Sequence, residues 1–284
     1  MRVTSSHRVA TTRALCCMGV MVLVSGCGKP SPQTEIRAYE ERPRREPRDP
    51  SLRLEEYVRD GMPSPDHVWS SGEMAKAASV LAAITAESAI CLPRFESTRS
   101  GAIFARIVSP ENLSPILDEK IPLASRRANA LKYYLASSRF YDIYFDAYAK
   151  HAVTGRELVE MMGLEFRALG ATIKLANEFI QTLNKKDPMY QARIAAHEKA
   201  KRSGAALVME GLSLFDKVYQ LRDSEKARLV ECAEEILPSL LLRLAPESRS
   251  KILERLEKIA ENSDSQNLRS GLARLIAAVR GAGQ

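Results

Sequence analysis

From residue 51 onward, apolar residues recur at three- and four-residue spacing almost without interruption, and that period restricts the chain to an all-α fold. Side chains that return to one face every 3.6 residues make a stripe, and each stripe must be buried against other helices. Asp49-Pro50 suits an N-cap and a first helical position, with Leu54, Tyr57 and Val58 following and Gly61 as the stop. Ser70 and Glu73 form a capping box for a helix carrying Met74, Ala77, Leu81, Ile84 and Ser88, which ends before Pro93. Pro93, Pro110, Pro115 and Pro122 make residues 93–122 irregular, with a short helix near 102–108. A long helix spans about 123–152.

Thr154 and Glu157 form a second capping box, opening a helix striped by Leu158, Met162, Phe166, Leu169, Ile173, Ala176, Ile180 and Leu183. Asp187-Pro188 starts a fourth long helix that should reach about 221. Its first half is lined by Ala192, Ala196, Ala200 and Ser203, which permit close helix approach, and its second by Leu207, Gly211, Leu214, Val218 and Leu221. Three shorter helices follow near 224–243, 247–261 and 265–280, and Pro238 should kink or split the first. Long helices joined by short turns pack as antiparallel neighbours. The expectation for 51–284 is therefore one all-α domain, an antiparallel helix bundle. Its C-terminal helices could stack like a short solenoid, with a sub-boundary near 222. LRDSEKARLVE at 221 and LRSGLARLIA at 268 align only with a gap, which is no repeat.

The N-terminus follows other rules. Residues 1–13 carry Arg2, Arg8 and Arg13 and no acid, and residues 14–24 form a short apolar run. Eleven residues are too few for a bilayer-spanning helix, which needs about 20. A charged start, a short apolar run and small residues at a cut mark an export signal. Leu23-Val24-Ser25-Gly26-Cys27 resembles the lipobox of bacterial lipoproteins. That resemblance implies a signal peptide over 1–26, diacylglycerol on the Cys27 thiol, cleavage before it and acylation of the new amine. One buried acyl chain holds a protein only marginally, whereas two or three hold it permanently. Gly28, rather than an aspartate, follows the cysteine. By the enterobacterial sorting pattern this implies the outer membrane facing the periplasm. Residues 27–50 then form a proline- and charge-rich tether that cannot bury enough surface to order itself. Its reach is about 25–30 Å as a coil and roughly 70 Å if extended.

Removing the signal lowers the net charge from +7 to +4. That charge and the compartment speak against a nucleic-acid partner, while anionic cell-wall polymers, lipid headgroups or an acidic protein stay open. The cysteines left after processing are Cys27, Cys91 and Cys232. With Cys27 lipidated, the expectation is a Cys91–Cys232 disulfide worth about 4–5 kcal/mol, against the alternative of two separate buried thiols.

Residues 133–148 hold seven aromatics: Tyr133, Tyr134, Phe140, Tyr141, Tyr144, Phe145 and Tyr148. They fall on two neighbouring stripes, so the helix is either central in the bundle or presents a binding surface through Tyr133, Phe140, Tyr141, Tyr144 and Tyr148. Asp142 and Asp146 pair at i, i+4 but have Arg139 and Lys150 beside them, as on a solvated face. His67, His151 and His197 lack a metal-ligand spacing, and no phosphate loop or nucleophile elbow occurs, so neither a metal nor another cofactor is expected. The run Lys185, Lys186, Arg193, Lys199, Lys201 and Arg202 is either a solvated face or an anion site.

Ala86-Glu87-Ser88, Gly101-Ala102 and Pro110 resemble lytic transglycosylases over about 25 residues. The resemblance implies Glu87 as general acid, although Phe104, Ala105 and Ile107 stand where that family's Gly-Leu-x-Gln block falls. The favoured expectation is a lipid-anchored, non-catalytic binding or scaffold module with a protein partner in the envelope. An immunity protein against a periplasmic toxin and a cell-wall enzyme using Glu87 are the alternatives.

Overall fold

The computed structural model describes residues 50–281. The expected signal segment, Cys27 and the tether up to Asp49 lie outside the described residues. Within them are ten α-helices and no strand: α1 (Leu54–Arg59), α2 (Ser71–Glu87), α3 (Gly101–Val108), α4 (Ser114–Leu117), α5 (Leu123–Ala149), α6 (Gly155–Thr182), α7 (Tyr190–Ser213), α8 (Asp223–Leu241), α9 (Pro246–Glu261) and α10 (Gln266–Gly281). Three single 3₁₀ turns, Ala89–Cys91, Pro110–Leu113 and Lys217–Tyr219, join them. None of the described helices is long and apolar enough to cross a membrane.

Both capping boxes form. The Ser70 hydroxyl accepts from the Glu73 amide while the Glu73 carboxylate accepts from the Ser70 amide at 2.9 Å. Glu157 likewise accepts from the Thr154 amide at 2.7 Å, so two orphan amide groups at each helix start are satisfied. Gly61 ends α1 with φ +92°, a conformation that side-chain-bearing residues rarely adopt. Trp69 closes the next turn, its indole N–H donating to the Ser64 carbonyl and its amide to buried Asn112.

The helices pack in order. α5 lies between α2 and α6, α8 packs on the far side of α6, and α10 packs on α8. α7 and α9 pack on each other, and against α6 and α10 respectively. One hydrophobic cluster runs from Tyr57 to Val279, and the α6–α8 contact carries it across residue 222. The bundle is thus all-α, and α6, α8 and α10 stack in a row like solenoid layers.

Two expectations are corrected. The fourth long helix stops at Ser213 rather than 221, because the chain turns through a 3₁₀ segment and Gln220 takes a left-handed φ of 50°. This leaves Val218 exposed. Pro238 neither splits nor ends α8, which continues to Leu241. It falls in the last turn, where one missing amide costs the helix a single bond.

α6 is the central helix. Every residue from Glu157 to Leu169 is buried, on all sides of the helix. Close approach is arranged at glycines. A Cβ on Gly211 of α7 would lie 2.5 Å from the Phe166 ring, and one on Gly163 would lie 2.8 Å from the Cys232 sulfur of α8.

Candidate functional site

The aromatic helix resolves as core. Tyr133, Phe140, Tyr141 and Tyr144 are buried, and Tyr148 is half-buried. Of the two readings of this helix the central one holds and the binding surface falls, because α2 and α6 cover both stripes of α5. Two of the hydroxyls meet backbone instead of a ligand, while the buried Tyr133 hydroxyl has no hydrogen-bond partner among the described residues. Tyr144 donates to the Pro93 carbonyl at 2.7 Å and Tyr148 to the Tyr219 carbonyl at 2.6 Å. Burial pushes the Tyr144 phenol well above its ordinary range. Edge-on contacts of Phe104 with Tyr144 and of Phe145 with Tyr219 complete the cluster.

The disulfide expectation also falls. Cys91 and Cys232 are free thiols on different interfaces. Cys91 lies in the 3₁₀ turn after α2, where its carbonyl accepts from the Tyr57 hydroxyl. The Cys232 side chain points at Gly163 of α6, and burial raises its thiol to about 11. Glu87 is the exposed last residue of α2, while Phe104 and Ile107 belong to the core. Asp142 and Asp146 are exposed on α5. No group of three metal-ligating side chains gathers among the described residues. His67 pairs with Glu73 at 2.7 Å and, with the Ser70 amide, holds that carboxyl down at about 2.

A set of buried charges on α6 escaped the sequence reading. Glu160 takes the Arg228 guanidinium at 2.8 and 3.2 Å and Arg156 at 3.0 Å. That fork holds Arg228 still more firmly protonated than an ordinary arginine. Glu157, besides capping α6, accepts from the Phe95 amide at 3.1 Å. Glu165 meets Ser138 of α5, and Arg167 donates to the Val108 carbonyl at 2.8 Å. These groups tie α6 to its neighbours.

The cleft lies elsewhere. Burial on α6 ends at Leu175 and resumes on α7 at His197, so no residue from 176 to 196 is buried. There α6 and α7 part from the bundle. Together with the α8–α9 turn they enclose a cleft of about 490 Å³. Ile180, Ile194, Leu242 and Leu244 give it apolar walls, and Lys174, Lys201 and Arg243 give it cations. Glu198 engages Lys201 at 2.9 Å, and Glu178 faces Arg126 of α5 at 3.6 Å. Lys174 has no ion pair among the described residues. His197 stands at the seam with Nε2 2.6 Å from Asn177 Oδ1. Burial, then Lys201, lowers its pKa. The ring is thus neutral at pH 7, with Nε2 donating to Asn177.

Beside the cleft, the Arg127 guanidinium lies 3.6 Å from the Phe179 ring centroid, and Arg193 lies 5.8 Å from the same centroid. Arg193 also meets Asp187 at 3.1 Å. Burial and the Arg193 charge both depress the Arg127 pKa. Of the basic run read from the sequence, Arg193 and Lys201 are thus held by partners, while Lys185 and Lys186 are exposed at the turn between α6 and α7. The small-residue seam does not pack closely at its outer end, where Ala192 is exposed.

The cleft can seat an apolar group with an anionic end, gripped by lysine and arginine and oriented by the fixed His197–Asn177 pair. Nothing in it forms a nucleophile–base constellation. Comparison with protein-family models, with curated proteins and with solved structures finds no match.

Proposed function

We propose that this chain is a lipid-anchored helical binding module of a bacterial envelope, tethered through Cys27 at the periplasmic face of the outer membrane. Its partner docks in the cleft between α6, α7 and the α8–α9 turn. The observation that carries the binding half of this reading is that cleft: about 490 Å³, with apolar walls, a cationic rim and a buried neutral histidine at its seam. Its volume falls within the ordinary range for specific pockets, about 300–1,000 Å³. An acidic side chain or chain terminus attached to an aliphatic or aromatic group fits its chemistry. The anchoring half rests on Val24-Ser25-Gly26-Cys27.

Each half has its own test. Radiolabelled palmitate should enter the protein in bacterial cells and be lost on Cys27→Ala, and label that survives the substitution would end the anchoring reading. For the cleft, a photo-crosslinking residue at Gln181 should capture a defined envelope protein that the same residue at exposed Asp142 does not. Equal capture from the two positions, or capture unchanged by Ile194→Glu, would remove the cleft from the reading.

A further inference from the structure

The positive charge of the folded body is concentrated at one end. Residues 50–281 carry a net +3, yet residues 174–202 alone carry +4, so the remainder is slightly acidic at −1. This basic segment is the end of α6, its turn and the start of α7, and it includes the whole stretch in which no residue is buried. Antiparallel packing brings the start of α5 to the same place, adding Arg126 and Arg127. Arg127 has no carboxylate partner among the described residues, and it shares the Phe179 ring with a second arginine that repels it. At the turn, Lys185 and Lys186 are exposed, Asp187 beside them is engaged by Arg193 at 3.1 Å, and Pro188 and Met189 follow, the latter 55% exposed.

We propose that this end of the bundle, led by Lys185, Lys186 and Met189, docks on an anionic phospholipid surface. Clustered cations gain attraction from lipid phosphates together, and an exposed methionine between them can enter the headgroup layer. Charge complementarity selects the surface, since the rest of the body, being net acidic, turns away from it. The choice of lipid over another polyanion rests on the anchoring reading: the tether joins the body at Ser51, which meets Ser97 near the start of α6, and extended towards roughly 70 Å it lets the far end of α6 reach headgroups. Docking would orient the body, with the cleft between α6 and α7 close to the membrane.

The test uses the chain from residue 28, without its acyl groups, since residues 57–279 contain the whole hydrophobic cluster. Binding is measured by sedimentation with vesicles of phosphatidylcholine alone and with added phosphatidylglycerol. The protein should bind only the anionic vesicles, and added salt should release it. Lys185→Glu with Lys186→Glu should weaken binding by at least about 25-fold, roughly fivefold for each cation lost. Lys150→Glu with Lys217→Glu, an equal charge change at exposed sites near the other end of α5 and α7, should bind like the parent. Circular dichroism confirms that each variant is folded. Equal binding to neutral vesicles, equal loss in both double variants, or no binding to either vesicle would overturn the proposal. None of these outcomes depends on whether Cys27 is acylated, which the palmitate experiment decides separately.

Discussion

α6 passes through two environments within one helix. From Glu157 to Leu169 it is enclosed by α5, α7 and α8, and its charges are locked: Glu160 to two arginines, Glu157 to the Thr154 and Phe95 amides. From Ala176 to Thr182 it still carries Phe179, Ile180 and one charge, Glu178, yet none is buried, and the facing start of α7 has no buried residue before His197. The same helical geometry thus serves as framework in one half and lines the open cleft in the other. Neighbours make the difference. Where three helices surround α6, a carboxylate must be paired to be tolerated, and where its flank opens onto the cleft, Lys174 can stay uncommitted.

Damage to the enclosed half should have the largest effect. Tyr144→Ala should cost about 3–5 kcal/mol in denaturant unfolding, because it empties a fully buried site. Tyr144→Phe should cost only about 1 kcal/mol, the loss of the hydroxyl bond to the Pro93 carbonyl. If Tyr144→Ala were neutral, the aromatic helix would not be core. Next comes Glu160→Gln, which leaves Arg228 and Arg156 facing an uncharged amide and should cost about 3 kcal/mol. Adding Arg228→Met to it should cost less than the two single changes summed, as expected for groups that act as a pair.

A smaller effect is expected at the seam between the halves. The pKa of His197 is depressed in the folded chain, so the unfolded chain binds the proton more readily. The stability His197 contributes is present above its ordinary pKa of 6.5 and is lost as pH falls through the depressed value. Glu73 acts at lower pH, its contribution fading between 4.5 and about 2. His197→Gln should flatten the melting-temperature profile between pH 7 and 5 while leaving the steeper acid limb in place. An unchanged profile would mean that the ring is solvated. The smallest effect belongs to the open half, where Gln181→Ala should shift stability by no more than about 0.5 kcal/mol. Hydrogen exchange should report the same contrast without mutation, the amides of 176–196 exchanging well before those of 157–175. Uniform protection along α6 would mean that its two halves are equally enclosed.

Much of this framework could be read from residue spacing. The helix starts at Ser70 and Thr154 were legible because a capping box is a local device, needing only two residues three apart. The stop of α7 at Ser213 was not, since the apolar stripe through Leu214, Val218 and Leu221 continues in phase and only tertiary packing turns the chain. The buried Glu160, Glu165 and Arg167 escaped for a related reason. A charge on a helix is normally a mark of solvent, and what overrides it here is a partner 68 positions away, in the case of Arg228 and Glu160. For the five aromatics the sequence left core and surface both open, and the choice depended on α2 arriving from far upstream. The cleft left no local signature, because it exists only where α6 and α7 part from the bundle.

Glu157 has a consequence for how the chain tolerates change in length. Its one carboxylate caps α6 and also receives the Phe95 amide, so the irregular stretch after α2 is clamped to the start of the central helix. Buried Arg94, next to it, donates across to the Ala152 carbonyl in the same junction. Residues inserted or deleted between Pro93 and Ser100 would therefore be felt about 60 positions downstream, at the start of the central helix.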